Sequence, residues 1–543
     1  MKKKIMREII VTCAFPYANG SIHLGHMLEH IQADIWVRYL RMNNNKVWFI
    51  CSDDAHGTPI MLKSKKMNIS PEKMVNQMFK NHKKDFINFN IKHDLYSTTH
   101  RKTNLFFVEK IYHLLKKKKL IEEKNVYQFY DICENMFLPD RFVKGNCPIC
   151  KSYDQYGENC DICGATYNPI ELIDPYSTVS HSKPVLKKTN HLFFNLSFFK
   201  KFLKKWQKSN VLQKQVYNKM KEWFKIGLKD WNISRDKPYF GFKIPGFPNK
   251  YFYVWLDAPI GYISNFYDLS RKKNIDFYNF WKKTTKTELY HFIGKDITYF
   301  HSLFWPAILK ASNLRQPTKI FVHGYLTING KKISKSKGDI ITSSEWIKKL
   351  DSDSLRYYLA SKMSPGIEDI EINFSDFCLK INSEVVNKIV NIASRCSSFI
   401  NKKFYNILSD KIYDINIYKK FVSQTNNVLF LFENREFSKL INKVLKYSNK
   451  INKYFTEKKP WLITNNNLLQ NICSICLNLF RIIATWLKPI MPILSKKVEF
   501  FLNTKLLWKN IDIPLLKHKI RNFNHLYEKI NINLAKEFKF NNF

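Results

Sequence analysis

Glu8-Ile9-Ile10-Val11-Thr12-Cys13 is followed by a loop through Pro16, Asn19 and Gly20, and then by His23-Leu24-Gly25-His26. The first run is short and apolar, as a buried strand requires. From Leu24 the apolar residues Leu28, Ile31, Ile35 and Leu40 recur at helical spacing. Val47 to Cys51 reads as a second buried strand, ending in Ser52-Asp53-Asp54-Ala55-His56-Gly57. This order of strand, loop, helix and strand predicts an α/β fold with a doubly wound, Rossmann-like parallel sheet.

The alternation breaks from about Lys118 onward, through a cysteine cluster and the aromatic run from His191 to Phe199. It resumes with a strand at Leu289 to Ile293, then Gly294-Lys295-Asp296, a helix carrying His301 and Trp305, and a strand at Ile320-Phe321-Val322. The intervening segment therefore reads as an insertion between two halves of one nucleotide fold. Beyond about Ser383 the pattern is helical almost throughout.

The chain has 543 residues, more than one hydrophobic core of about 250–300 residues accommodates, so several domains are expected. Its net charge of +44 suits a polyanionic partner. Lysine is spread together with Asn, Ile and Phe, however, as AT-biased coding drift would also produce, and charge alone decides nothing. Met1-Lys2-Lys3-Lys4 leads into no long apolar segment. No uninterrupted apolar stretch reads as a membrane span. A cytoplasmic protein without membrane contact is expected, with its 11 cysteines reduced.

Cys147-Pro148-Ile149-Cys150 and Cys160-Asp161-Ile162-Cys163 are two C-x-x-C knuckles. Four thiolates at this spacing suit one structural zinc ion in a closed tetrahedral shell. Two disulfides are the alternative, and a reducing compartment disfavours them. Cys473 and Cys476 share the spacing but lie in a helical apolar pattern and read as packing residues.

His23-Leu24-Gly25-His26 sits where a strand-end loop becomes a helix, and a helix N-terminus attracts phosphate. Lys332-Ile333-Ser334-Lys335-Ser336-Lys337-Gly338 could clamp a triphosphate. Taken singly, the first reads more readily as capping or surface residues and the second as a solvated basic loop. Together, in this order and far apart, HLGH and KISKS resemble the HIGH and KMSKS signatures of the class I aminoacyl-tRNA synthetases. Pro16 through His26, Asp53-Asp54-Ala55-His56-Gly57-Thr58-Pro59 and Phe292-Ile293-Gly294-Lys295-Asp296 are similar to the methionine branch found in bacteria. The resemblance extends over nearly the whole chain.

The resemblance implies five divisions. Residues 1–117 and 233–325 would be the halves of the catalytic domain, and 118–232 the connective insertion with the zinc knuckle. Residues 326–384 would carry the KISKS loop and contact the tRNA stem, and 385–543 would form an α-helical anticodon-binding domain. It implies ATP, accompanied by magnesium, and L-methionine as substrates. His23, His26, Lys335 and Arg235 would serve catalysis. Gly25, Gly294, Asp296, His323 and Lys332 would join His23, His26 and Lys335 in holding ATP. Methionine would lie among Phe15, Tyr17, Asp54, Trp255, Ala258, Pro259, Tyr262, Ile297, His301 and Trp305. Asp54 would pair with its ammonium, and Tyr262 and His301 would approach its sulfur. Asn391 and Arg395, four apart on one helical face, and Pro460-Trp461, expected to begin a helix, would read the CAU anticodon of methionine tRNA. Ile333 replaces the methionine of the KMSKS pattern, and Phe15 stands where a smaller aliphatic residue is usual. With no extra tRNA-binding and dimerising domain after the helical part, a monomer is expected. The competing readings are a class I synthetase for another amino acid and a non-catalytic tRNA-binding protein on a synthetase scaffold.

Overall fold

The computed structural model describes residues 6–157, 160–163, 165, 167–328, 331–332, 340–531 and 533. Strand β1 (Glu8–Cys13), helix α1 (Leu24–Met42) and strand β2 (Lys46–Asp53) fall where the sequence predicts them. With β3 (Leu95–Thr98), β4 (Glu288–Gly294) and β5 (Lys319–His323) they build a five-stranded parallel sheet. Its order is β5-β4-β1-β2-β3. The winding reverses between β1 and β4, and such a reversal leaves a crevice at the carboxyl ends of the strands.

Leu28, Ile31, Ile35 and Leu40 are all buried, as their spacing predicts, but α1 is enclosed on nearly every side. Its polar residues must therefore be paired. Burial alone would raise the Asp34 carboxyl, but Arg38 and Arg356 hold it down at about 2. The Arg356 side chain reaches Asp34 at 2.7 Å and also donates to the carbonyls of Pro489 and Ile490 at 3.0 and 2.8 Å. One fully buried guanidinium thus ties α1 to the helical C-terminal region.

Helix α2 (Val254–Lys273) crosses the sheet and is pinned to β2 where Asn265 Nδ2 donates to Cys51 O at 2.7 Å. The insertion departs along a long antiparallel ladder between Ile121–Asp131 and Val185–Phe194. Phe129, Met136, Leu138, Val143 and Leu172 form its small apolar cluster. Leu203, Val216 and Met220, farther along, pack with Ile10, Ile50 and Phe304 in the core beneath the sheet.

Two local expectations are revised. The segment carrying His301 begins as a wide π-turn, Phe300–Phe304, and becomes an α-helix only at Trp305–Ala311. Pro460-Trp461 starts no α-helix but a single 3-10 turn, Pro460–Leu462, entered through a left-handed Lys459. The next helix, Asn466–Leu487, has its own Asn465 cap. That helix is by length and mean composition able to cross a membrane, although 89% of its most apolar window is buried inside the protein. Asn478 and Arg481, which interrupt the apolar run in sequence, satisfy themselves on the carbonyls of Ser474 and Ile513. Cys473 and Cys476 are buried packing residues on this helix, as expected.

Candidate active site

His23 caps α1 in extended conformation. Its Nδ1 accepts the Gly25 N–H at 3.1 Å, while His26 Nδ1 accepts the His23 N–H at 3.2 Å. The two rings stack with centroids 3.8 Å apart. Because both Nδ1 atoms accept, each neutral ring carries its proton on Nε2. A Cβ on Gly25 would lie 3.0 Å from the His23 ring. The glycine therefore serves the histidine's seat as well as any approach of a nucleotide.

Across the crevice, Gly294 ends β4 and pairs with His323 at the end of β5. A Cβ on Gly294 would meet Asp296 Oδ1 at 2.8 Å, so a side chain here would displace the Asp296 carboxylate from its present place. Glu29 of α1, which sequence reasoning missed, joins the parts. It accepts the Ala14 N–H at 2.6 Å and meets His323 Nε2 at 3.1 Å, while His323 Nδ1 lies 2.7 Å from Gly324 O. Burial lowers the affinity of His323 for a proton, but the Glu29 contact outweighs it and its pKa is raised. Glu29 shares its face of α1 with Gly25, His26, Gln32 and Ala33, so no local pattern marks it.

Lys332 pairs through its backbone with Thr327. The Lys332 side chain, Ile333 and Lys335 lie outside what the structure describes. The chain rejoins the site at Ile341 and Thr342, where Leu24 N–H donates to Ile341 O at 3.1 Å and Ser343 N–H to Ile22 O at 2.9 Å.

A cavity of about 700 Å³ opens beside the crevice. Phe15, Tyr17, Asp54, Arg235, Trp255 and Ile297 line it, as the sequence reading requires of one site. Arg235 lies over the Tyr253 ring at 3.6 Å and donates to Ser234 O. The Asp54 carboxylate accepts the His56 backbone N–H, but its Oδ1 is shielded from solvent and has no hydrogen-bond partner among the described residues. Desolvation raises its pKa, and the nearby Asp257 and Asp53 raise it further.

Tyr262, His301 and Trp305 stand behind this wall. Phe15 packs on Tyr262 at 4.5 Å, and Tyr262 O–H lies 3.0 Å from His301 Nε2. His301 Nδ1 lies 3.2 Å from Ile297 O, so Nδ1–H donates there and Nε2 accepts from the tyrosine. Burial pushes His301 down to about 4, which keeps it neutral. Trp305 Nε1–H donates to His291 Nε2 at 3.1 Å, fixing the bulk behind the pocket. Tyr239, Tyr253, Asp140 and Arg141 also line the cavity. The last two come from the insertion, and only its long ladder brings them there.

Within the insertion, Cys147 and Cys163 Sγ are 3.8 Å apart, and Cys150 and Cys160 Sγ 3.6 Å. All four sulfurs lie within 4.8 Å of one another. Disulfides need sulfurs at about 2.05 Å, whereas ligands of one tetrahedral zinc, each at about 2.3 Å, stand at close to the observed spacing. The Cys150 and Cys163 N–H groups donate to the preceding knuckle sulfurs, Cys147 and Cys160, at 3.4 Å, which stabilises thiolates. The residues fit zinc.

At the other end, Arg395 lies over Phe455 at 4.5 Å, and Phe455 is 6.3 Å from Trp461, which is 52% exposed. Asn391 opens the helix that carries Arg395.

Fold and site together define a crevice at the carboxyl ends of a parallel sheet, joined to an aromatic pocket that holds a buried, unpartnered carboxylate oxygen. The family model described as tRNA synthetases class I (M) matches residues 9–397. A methionine–tRNA ligase of Buchnera aphidicola subsp. Baizongia pistaciae is 57% identical over 542 residues, 99% of each chain. That of Buchnera aphidicola subsp. Schizaphis graminum is 57% identical over 528 residues, 97% of each. Mycobacterium tuberculosis methionyl-tRNA synthetase in complex with methionyl-adenylate has the same fold, with a TM-score of 0.80 at 20% identity, over 96% of this chain and 99% of that one. The chain belongs to the class I (M) family of tRNA synthetases.

Proposed function

We propose that the chain activates L-methionine with ATP and transfers the methionyl group to the terminal ribose of methionine tRNA. The observation that carries this reading is the unpartnered Asp54 oxygen on an aromatic wall beside the histidine-capped crevice. A substrate ammonium satisfies that oxygen. Phe15, Tyr17 and Trp255 offer ring contacts to a thioether, each worth about 0.3–1.5 kcal/mol. Tyr262, with His301 fixing its hydroxyl, sets the depth of the pocket.

The methionine carboxylate attacks the α-phosphorus of ATP. The bond to the bridging oxygen breaks and pyrophosphate leaves. His23 and His26 donate Nε2–H to the phosphates, and Lys332 and Lys335 add positive charge. Arg235 orients the carboxylate. Gly294, Asp296 and His323 hold the nucleoside, with magnesium arriving on ATP. A ribose hydroxyl of the tRNA then attacks the acyl carbon and AMP departs. No side chain forms a covalent bond; positioning and charge stabilisation supply the rate. Cys147, Cys150, Cys160 and Cys163 hold a zinc that orders the insertion wall. Asn391, Arg395 and Trp461 read the anticodon, Trp461 by stacking.

ATP–pyrophosphate exchange against a panel of amino acids tests the reading. Methionine drives exchange and other amino acids do not. Exchange driven by cysteine or isoleucine in place of methionine overturns it.

A further inference from the structure

Asp54 belongs to the loop after β2, whereas Trp255, Ala258 and Pro259 belong to α2. The pocket exists only while these two elements keep their spacing. Besides Asn265, which holds α2 to β2, a buried side chain of the loop itself bridges them: His56, two residues beyond Asp54. Its Nδ1 makes a short hydrogen bond to Asp257 Oδ2, and Asp257 lies between Trp255 and Ala258. Both side chains are out of solvent. His56 Nε2 lies 2.9 Å from His100 Nδ1, and the rings of Phe240 and Phe242 stand edge-on to it. Asp257 O also accepts from Asn104 Nδ2 at 3.2 Å.

We infer that His56 and Asp257 are positioning residues for amino-acid recognition, fixing the distance between the ammonium-binding Asp54 and the aromatic wall of α2. The pair does a second thing. Three carboxylates, Asp53, Asp54 and Asp257, crowd one place. Asp53 is engaged by His82 and Tyr96, and Asp257 by His56. Each of the three keeps one oxygen without a hydrogen-bond partner among the described residues, but of them Asp54 alone lines the cavity and can accept from an incoming cation. His56 and Asp257 bond to each other, to His100 and to Asn104, so the pin acts on the amino-acid side of the site.

The inference rests on the methionine reading, and wild-type exchange is measured first: absence of methionine-dependent exchange defeats that reading and not the pin. The test compares His56→Ala, His56→Asn, Asp257→Ala and the double alanine variant in ATP–pyrophosphate exchange. Asn places an amide N–H near the position of Nδ1, so it keeps the bond to Asp257. His56→Ala raises the methionine KM about tenfold or more with the ATP KM within twofold. His56→Asn returns it to within about threefold of wild type. The double variant is no worse than either single change, because both remove one contact. Equal rises in the two KM values, no recovery in His56→Asn, or additive losses in the double variant each overturn the inference. His56→Asn and Asp257→Ala decide the matter even where His56→Ala fails to fold.

Discussion

Thr342 lies opposite His23 in a short antiparallel bridge. Its neighbours make the bonds, Leu24 N–H to Ile341 O and Ser343 N–H to Ile22 O. The residues that follow the lysine-rich segment are therefore stitched to the first histidine of the HLGH motif. Thr342 also caps the helix Ser343–Lys349, with Glu345 reciprocating in a capping box.

This geometry permits a selective cut. Ser343→Pro deletes the cross-loop N–H together with the Ser343 hydroxyl, which donates to Ile22 O at 3.2 Å and bonds to Asp85, while a helix tolerates proline at its first position. Each such hydrogen bond contributes about 1 kcal/mol. We expect a drop of about fivefold to tenfold in exchange kcat, with the melting temperature lowered by only a few degrees. An unchanged kcat removes any catalytic meaning from the bridge.

His26→Ala removes a phosphate donor and one arm of the α1 capping box. Loss of one preorganised donor costs about 10²–10³ in kcat. The methionine KM stays near wild type, since the cavity wall is untouched. A methionine KM that rises with an unchanged kcat places His26 at the wrong substrate.

Zinc content and proteolysis examine the knuckle. One zinc per chain is expected by elemental analysis. Cys147→Ser lowers it and exposes residues 118–195 to protease, with aminoacylation falling more than exchange. A wild-type chain free of zinc after purification without chelator contradicts the assignment.

Trp461→Ala removes an exposed ring 6.3 Å from Phe455. Stacking on one base is worth about 1–3 kcal/mol, so aminoacylation falls by roughly 5-fold to 150-fold at limiting tRNA while exchange is preserved. Equal loss of both activities speaks against an anticodon role.

His301 shows the sign of a pH effect. Burial depresses its folded pKa to about 4, below the free value of about 6.5. The unfolded chain therefore binds the extra proton first as pH falls, and stability is lost between about pH 6.5 and 4. By pH 5 the loss reaches about 2 kcal/mol. His301→Gln makes this part of the curve of melting temperature against pH shallower without levelling it, because burial also depresses His30, His93, His191 and His291. A wild-type curve level from pH 7 to 5 rules the effect out.

The parts legible in the sequence are those whose cause is local. β1, β2 and β4 lie deep in the sheet and so read as mostly apolar runs, with Thr12 and His291 as polar residues inside them. The His23 cap and the paired cysteines are short-range patterns. The π-turn at Phe300–Phe304 was hidden because its apolar spacing also satisfies an α-helix. The insertion's share of the cavity, Asp140 and Arg141, depends on a ladder pairing Ile121 with Phe194, which no window of sequence contains. Glu29 was passed over because a lone acid on a helix is ordinarily solvated. Here the helix is enclosed, and the acid is bonded to Ala14 and His323.

Thr12 and His291 touch across β1 and β4 although 279 positions separate them. The crevice at that seam cannot assemble until β4 has left the ribosome. An incomplete chain stalled within the insertion holds the HLGH helix but no β4 opposite it. Unfinished copies thus lack the crevice that the β1–β4 seam forms.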